Sequence, residues 1–459
     1  MPEADADSTP PRMVVVANRF PITWSATAGW ERSPGGLVTA LEAHVRRHRV
    51  TWIGSSASLG DAGGATPAWP HGRLLQVPVD RDQADLAIGG MSDSCLWPAL
   101  HGLAERVQWR DDWWEAYRLH NEHFARTIAE GVPVGALVWI HGHHLLLVPQ
   151  MVAPLRADLR VALSIHAPCE AAALTELPVA DQLVAALDQP AVIAVQTAAD
   201  RSQLVEFCAR RRGVTIVSPA SIDPEDVTTL VDEQTTKVLV ERLRSGLQAR
   251  RLIVGIDRID RTKALTQRLD AIDRAFRHGS IRPDEVEIVQ IAQPTRTGLS
   301  ASRELRLDLE RRAHEVASHW LRSDGTPALR VVTEGRGRRE VAALLAAADL
   351  ALVTPARDGM NLVAKEFSIC NEARAGVLVL SRTAGVADAL GDASVLVDGA
   401  DAASVAEGIA RAVTLDPETR RRMARRRADA VRAWTSEHWA ADVGRRLTTA
   451  RVSADHRPG

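Results

Sequence analysis

The sequence DLALVTPARDGMNLVAKEF, residues 349–367, sets how the second half of this chain folds. Residues 349–353 form an apolar run of strand length, and a loop marked by proline and glycine follows over 354–359. A helical pattern covers 360–373, and 377–380 is a second buried strand. This order predicts a strand–loop–helix–strand unit, in which ligands bind at the carboxyl ends of the strands.

The loop and the helix start carry groups that suit a phosphorylated sugar. Gly359 allows a tight turn, so that the first helical amides can face an anion. Asp358 lies in the loop and can accept hydrogen bonds from hydroxyl groups, while Leu362 and Glu366 share one helix face because they are four residues apart. A nucleotide sugar is therefore the predicted ligand. The alternative is an ordinary βαβ unit in which the two carboxylates only cap and solvate the helix.

Length and composition indicate a globular protein with two domains. The chain has 459 residues, a net charge of −2 and 46% hydrophobic residues, so it has no excess of positive charge for nucleic acid. Its four cysteines are dispersed without a CxxC pair, which predicts neither a disulfide framework nor a zinc site. The polar, proline-rich start does not resemble a signal peptide, and no apolar run approaches about 18 residues. We therefore expect a cytoplasmic protein that does not associate with membranes.

Two further predicted strands are followed by cations. These are residues 13–17 before Arg19, and residues 251–255 before Arg258 and Lys263. A lysine five residues after an arginine at a strand end can place both cations around one anion. The alternative is a solvated basic loop. Only three of the 56 basic residues are lysines, which supports a specific use for the one in this loop.

These stretches occur in the order found in one known family. TPARDGMNLVAKEF closely resembles the donor-site motif of the trehalose-6-phosphate synthases, which are retaining glycosyltransferases of the GT-B fold. VVVANRFP near the amino terminus, LWPALH at 96–101 and DRIDRTKAL at 257–265 are similar to other motifs of that family. The resemblance covers most of residues 13–450. It implies an α/β protein of the GT-B class, with two Rossmann-like domains facing across a cleft.

The resemblance also implies how the chain is divided and what it binds. The expected parts are a tail over 1–12, an acceptor-side domain over 13–224, a linker over 225–250, a nucleotide-sugar domain over 251–430, and a helix over 431–452 that crosses back to the first domain. Retaining transfer in this family is thought to need neither a metal nor a protein nucleophile. No cofactor is therefore expected, and UDP-glucose or GDP-glucose is the expected co-substrate.

Site residues follow from the resemblance position by position. It implies catalytic roles for Arg258, Lys263, His166 and Asp358. It implies donor contacts for Gly36, Arg258, Lys263, Asp358, Gly359, Met360, Asn361, Leu362, Val363 and Glu366. It implies acceptor contacts for Arg19, Trp97 and Arg296.

The acceptor side departs from the family pattern at three positions. Ser55 stands where a Trp is usual, Ile88 where a Tyr is expected, and Gly142 where an Asp follows the histidine. Each lost polar contact is worth about 1–3 kcal/mol, so together they could abolish binding of glucose 6-phosphate. Residues 141–144 hold three histidines in four positions. Because no carboxylate or cysteine is near them in the sequence, we interpret this segment as a structured loop and expect no metal.

Three functions are compatible with these motifs. The first is transfer of glucose from UDP- or GDP-glucose to glucose 6-phosphate or a related phosphorylated acceptor. The second is a pseudo-glycosyltransferase that couples a nucleotide-cyclitol to an amino-cyclitol phosphate, and the third is a catalytically silent regulatory paralogue that binds sugar nucleotide. The intact DGMN loop favours a sugar donor, and Arg258 with Lys263 favours catalysis. The expected partners are small molecules, with a homo-oligomer left open.

Overall fold

The computed structural model describes residues 13–25, 29–33, 35–59, 69–209, 211–247, 250–294 and 300–450. The chain forms two compact units. The first unit comprises Met1–Pro219 with Trp439–Gly459, and the second comprises Ala220–His438. Within the described ranges, no helix is both long and apolar enough to cross a membrane.

The first unit is built on a seven-stranded parallel sheet in the order β5-β4-β1-β6-β7-β8-β9, beside a separate antiparallel pair, β2 and β3. The strands are Met13–Ala17 (β1), Ile22–Ser25 (β2), Gly29–Arg32 (β3), Val50–Ser55 (β4), Gly72–Val77 (β5), Leu137–His141 (β6), Arg160–Ser164 (β7), Val192–Val195 (β8) and Val214–Val217 (β9). The α-helices are Gly36–His48 (α1), Arg81–Ala84 (α2), Trp97–Leu100 (α3), Asp111–Gly131 (α4), Val148–Val152 (α5), Ala171–Thr175 (α6), Ala180–Asp188 (α7) and Ala198–Phe207 (α8).

The second unit contains a six-stranded parallel sheet in the order β12-β11-β10-β13-β14-β15. Its elements are Pro224–Asp232 (α9), Gln234–Gly246 (α10), Arg251–Arg258 (β10), Leu265–Arg277 (α11), Val286–Gln293 (β11), Ser300–His319 (α12), Leu329–Val332 (β12), Arg338–Ala347 (α13), Leu350–Val353 (β13), Leu362–Cys370 (α14), Val377–Ser381 (β14), Ala387–Leu390 (α15), Val395–Val397 (β15), Ala402–Thr414 (α16) and Pro417–Ala433 (α17). The last helix, Ser436–Thr449 (α18), carries the chain from the second unit into the first.

Each sheet has a central strand at which the order of the strands reverses. In the first unit the chain leaves β1 toward β4 and β5 and returns to the other side of β1 as β6; in the second, β10 plays the same part between β11 and β13. Ligands in open α/β sheets bind outside the carboxyl ends of strands at such a reversal. A ligand site is therefore expected in the loops after β1, β6, β10 and β13.

An unusual helix precedes α3. Residues Asp85–Leu96 form a π-helix, and its Ser92 hydroxyl donates to the carbonyl of Ala87, five residues earlier, at 3.0 Å. Gly90 is required at the contact with α4, because an added Cβ would lie 2.6 Å from Cγ of Trp113. Long π-helices are rare, and shorter ones are frequent at functional sites. No pattern in the sequence predicts this element.

The beginning and the end of the second unit are joined through one buried lysine. Lys365 on α14 donates to the carbonyl of Ala220 at 2.7 Å and to Oγ of Ser221 at 3.2 Å. The Ser221 hydroxyl in turn donates to the carbonyl of Trp434 at 2.5 Å. Burial lowers the pKa of Lys365 to about 7. The amine therefore holds the start of the second unit against the helix that follows the DGMN loop, and Ser221 joins that start to Trp434 near the unit's end.

Candidate active site

The loop after β13 is fixed by its neighbours at the carboxyl edge of the second sheet. The amide of Ala356 donates to the carbonyl of Thr262 at 2.8 Å, which joins this loop to the turn that follows β10. The amide of Asp358 donates to the carbonyl of Thr383 at 3.2 Å, and the amide of Gly385 donates to the carbonyl of Asp358 at 3.0 Å. The loops after β10, β13 and β14 thus hold one another in place before any ligand binds.

The central contact of the site joins Lys263 to Asp358. The lysine Nζ lies 2.5 Å from Oδ2 of Asp358, and the two side chains are 9% and 14% exposed. Asn361 donates from Nδ2 to the same carboxylate oxygen at 3.0 Å. Lys263 itself is positioned by a 3₁₀ turn, whose Asp260 side chain accepts from the amide of Thr262 at 3.0 Å. Three residues that the sequence assigned to donor binding are therefore in direct contact.

The helix α14 begins where the donor loop ends. Asn361 has a left-handed backbone, with φ 84° and ψ 92°, and its Oδ1 accepts from the amide of Ala364 at 3.2 Å. The first amides of an α-helix lack partners within the helix, so Leu362 and Val363 present theirs at the carboxyl edge of the sheet. Asparagine tolerates this backbone better than most residues. The residue of this turn with a positive φ is therefore Asn361, and Gly359, which the sequence suggested for the turn, is not among the glycines with a positive φ.

The remaining predicted donor residues lie just before and on α14, which is shorter than the sequence predicted. Met360 is buried in the core, and Glu366 is half-buried on the helix. The helix was predicted to continue to residue 373 but ends at Cys370. Asn371 ends it because its Nδ2 donates to backbone carbonyls of Leu345 and Ala348, at 2.7 and 2.9 Å.

Arg258 differs from Lys263 in its surroundings. It is the last residue of β10, and its side chain is 47% exposed, with Nη2 3.8 Å from Oδ2 of Asp260. A guanidinium at this position can bind two oxygens of a phosphate at once, whereas an ammonium acts as a compact charge. The two predicted cations therefore lie at the end of β10 and five residues beyond it, one exposed and one buried against a carboxylate.

A buried ion pair that sequence reasoning missed lies behind this edge of the sheet. Arg268 on α11 donates to Oδ2 of Asp257 at 2.5 Å, to Oε1 of Gln290 at 3.0 Å and, from Nε, to Oγ1 of Thr354 at 2.8 Å. The side chains of the ion pair are 0% and 3% exposed. This network fixes the residue before Arg258 and the first residue after β13. Because arginine is usually exposed, nothing in the local sequence marked this one as buried.

His166 lies in the first unit against a second histidine. Its Nε2 is 3.2 Å from Nδ1 of His141, and the rings are parallel, 5.4 Å apart. Trp439 packs edge-on against both rings, with centroids 5.9 Å away. Burial lowers the pKa of His166 to about 4, and burial together with its neighbour lowers the pKa of His141 well below its usual range. Both rings are neutral at pH 7, so the N–H of one ring donates a hydrogen bond to the unprotonated nitrogen of the other.

Arg19 follows β1 and has an exposed side chain on a fixed backbone. Its carbonyl accepts from Nε1 of Trp52 at 2.9 Å, and the carbonyl of Asn18 accepts from the amide of Ser55 at 3.3 Å. Ser55, one of the three departures from the family pattern, is buried and supports this loop. Gly36 is exposed at the first position of α1. Both predicted residues therefore lie near strand ends or helix starts, as anion binding requires.

Trp97 lies at the start of α3 beside the histidine segment that follows β6. Its ring centroid is 5.2 Å from that of His143, and one ligand atom each of Asp93, His143 and His144 lies within 4.8 Å of the others. The expectation that no carboxylate joins these histidines was therefore wrong. Asp93 is about 50 residues away in sequence, so only the folded chain brings it there. Arg296, the third predicted acceptor residue, lies outside the described residues.

The comparison with protein families covers nearly the whole chain. The model of glycosyltransferase family 20 matches residues 11–449. This chain belongs to glycosyltransferase family 20. It is therefore a glycosyltransferase, and its two parallel sheets are those of the GT-B class, as the sequence predicted.

Relatives of this family-20 chain are similar to it over more than 90% of their length. A trehalose-6-phosphate synthase of Mycolicibacterium gilvum is 34% identical over 479 aligned positions, which cover 96% of this chain and 93% of that protein. The crystal structure of an α,α-trehalose-phosphate synthase (UDP-forming) from Burkholderia xenovorans, in complex with glucose-6-phosphate, is 26% identical with a TM-score of 0.86 and covers 95% of this chain and 100% of that one. A structure from E. coli bound with UDP-2-fluoro glucose shares the fold at 24% identity, with a TM-score of 0.86 over 95% of this chain and 99% of that one.

Proposed function

We propose that this glycosyltransferase is an α,α-trehalose-phosphate synthase. It transfers glucose from UDP-glucose to glucose 6-phosphate and retains the anomeric configuration. The observation that carries the proposal is the contact of Lys263, Asp358 and Asn361 at the carboxyl edge of the second sheet. The names of the similar proteins support the choice of substrates, since they include UDP-forming synthases and one complex with glucose-6-phosphate.

Departure of the nucleoside diphosphate is assisted by charge. Arg258 ends β10 and Lys263 lies in the turn that follows it, and both act on the diphosphate oxygens, where negative charge develops as the bond to the sugar breaks. The first amides of α14 add partial positive charge. These groups suffice for the leaving group, so transfer requires no metal and no other cofactor.

The hexose is held by the carboxylate and by the neutral histidine. Asp358 is oriented by Lys263 and Asn361 and accepts from sugar hydroxyls. Because Nε2 of His166 is engaged with His141, the neutral ring offers its other nitrogen, Nδ1, to the sugar without adding charge next to a developing oxocarbenium ion. Glu366, half-buried on α14, contributes a second carboxylate for hydroxyls of the nucleotide sugar.

The phosphorylated acceptor is bound by Arg19, Trp97 and Arg296. Ser55, Ile88 and Gly142 replace the Trp, Tyr and Asp side chains expected there, so we expect a higher KM for glucose 6-phosphate than in relatives with all three. The partners remain small molecules, and a homo-oligomer is left to measurement. A cytoplasmic location remains our prediction, and four buried cysteines that form no disulfide suit a reducing compartment.

The decisive experiment measures nucleotide release with UDP-glucose or GDP-glucose and glucose 6-phosphate, followed by identification of the product. Formation of α,α-trehalose 6-phosphate, lost in Lys263→Met and retained in Lys237→Met, would support the proposal. Lys237 is the matched control because it is exposed and pairs with Asp232 on the surface. Tight binding of UDP-glucose without transfer to glucose 6-phosphate would overturn it and direct the search to other acceptors.

A further inference from the structure

Three metal-ligating side chains converge in the first unit, outside the donor site. Asp93, His143 and His144 each offer one ligand atom, and these atoms lie within 4.8 Å of one another. Both carboxylate oxygens of Asp93 and Nε2 of His143 are shielded from solvent. A cation between the three would be bound by two imidazole nitrogens and one carboxylate oxygen, a ligand set that proteins use for transition metals.

The backbone that carries the two histidines is fixed by buried side chains of α4. Tyr117 donates from its hydroxyl to the carbonyl of His143 at 2.8 Å, and Asn121 donates from Nδ2 to the carbonyl of His144 at 3.1 Å. Gly142 has φ 89° and ψ 164°, a backbone that residues with a Cβ rarely adopt, and it turns the chain from β6 into this segment. The two imidazoles are therefore positioned before any ion binds.

The third ligand comes from the π-helix, Asp85–Leu96. In this helix the hydroxyl of Ser94 also donates five residues back, to the carbonyl of Gly89 at 2.8 Å. The wider turn changes which side chains share a face, and here it directs Asp93 toward the histidines. Ile88, one of the departures from the family pattern, lies on this same helix, and Gly142, another, directly precedes His143. The altered positions and the cluster thus occupy the same two segments.

We propose that Asp93, His143 and His144 bind one divalent transition-metal ion, with Zn²⁺ the best match. Two imidazole nitrogens and one carboxylate oxygen suit Zn²⁺, Co²⁺ or Ni²⁺, whereas Mg²⁺ and Ca²⁺ favour oxygen ligands alone. Three protein ligands leave a further coordination position for water or an oxygen of a bound molecule. The site does not serve the leaving group, whose cations belong to the second unit.

The test measures metal binding directly on the full-length protein. After removal of metal with a chelator, titration with Co²⁺ should give visible d–d absorption that saturates at one ion per chain and disappears when Zn²⁺ is added. Asp93→Asn, His143→Gln and His144→Gln should each weaken Zn²⁺ binding at least roughly 100-fold, more than the loss of an outer partner of a ligand does. His278→Gln, at an exposed histidine, is the control and should bind as the wild type does.

A second measurement guards against variants that fail to fold. Excess Zn²⁺ should raise the melting temperature of the wild type and of His278→Gln, but not that of Asp93→Asn, whose circular dichroism and UDP-glucose affinity should be unchanged. Wild-type protein that binds Co²⁺ no better than Asp93→Asn would overturn the proposal and leave Asp93 as the partner of a protonated histidine. This outcome is independent of the proposed function, because neither readout depends on turnover.

Discussion

Lys263 has two predicted roles: it stabilises the fold by neutralising Asp358, and it raises kcat by stabilising the leaving diphosphate. Replacing it by methionine, alone and together with Asp358→Asn, should separate the two. The ammonium lies 2.5 Å from the carboxylate, and both side chains are largely buried. At this separation and an effective dielectric constant of 20, the attraction is about 7 kcal/mol before the cost of desolvation is subtracted. Breaking a buried pair on one side costs about 3–5 kcal/mol of unfolding free energy, because the other charge is left uncompensated.

We expect Lys263→Met to lower kcat by about 10²–10³, the effect of losing one electrostatic group at a developing charge. The double variant Lys263→Met/Asp358→Asn contains neither charge, so it should regain most of the lost stability and none of the lost rate. Urea unfolding gives the stability, and UDP release in the presence of glucose 6-phosphate gives the rate. Lys237→Met should change the unfolding free energy by less than about 1 kcal/mol and leave kcat unchanged, because its ion pair is exposed. A double variant whose kcat returns with its stability would refute a catalytic role for Lys263.

Three further predictions concern the histidine pair, the glycine after β6 and the buried arginine. The unfolded chain protonates His166 near its ordinary pKa of about 6.5 and the folded chain only near 4, so the free energy of unfolding should fall by up to about 3 kcal/mol as the pH falls between these values. Urea unfolding at pH 7.5 and 4.5 should show this loss of unfolding free energy, and the loss should be smaller in His166→Gln. An equal loss in the variant would contradict the lowered pKa of His166. Gly142→Ala should lower the free energy of unfolding by about 1–3 kcal/mol, because Gly142 has a positive φ that strains a residue with a Cβ. Gly246→Ala, in a helix with open space around it, should be neutral or slightly stabilising in the same urea unfolding assay. Equal effects of the two substitutions would contradict backbone strain at position 142. Arg268→Met should cost about 3–5 kcal/mol in the same assay because Asp257 stays buried without its partner, and adding Asp257→Asn should recover part of that loss; no recovery would contradict the charge argument.

The sheet of the second unit was predictable because its strands are buried on both faces. Such strands appear in the sequence as continuous apolar runs, and Leu350–Val353 and Val377–Ser381 lie where those runs predicted them. The donor loop was equally visible, since its functional residues are contiguous. The direct contact of Lys263 with Asp358 was not predicted, because the two residues are separated by 95 positions and meet only when β10 and β13 pair.

Other features could not be read from the sequence because they depend on packing between distant segments. The π-helix has no local sequence signature. Glycines such as its own are more typical of loops, and the contact of Gly90 with Trp113 explains one of them only in the folded chain. For the same reason, the sequence did not indicate that Asp93 lies near the histidines after β6. Local patterns therefore identified the histidine segment after β6, but not the carboxylate of Asp93 that the fold brings to it.

The link through Lys365 has a consequence for the modularity of the chain. Because Ser221 and Trp434 are hydrogen-bonded to each other, the second unit begins and ends at nearly the same place in space. A segment whose ends are adjacent can be excised, closed into a ring with a short linker, or inserted into a surface loop of a host protein with little entropic cost. Residues 220–438 are thus suited to transfer as one unit into another protein. The hydrogen bond from Ser221 to Trp434 keeps the two ends together, and the buried amine of Lys365 positions Ser221.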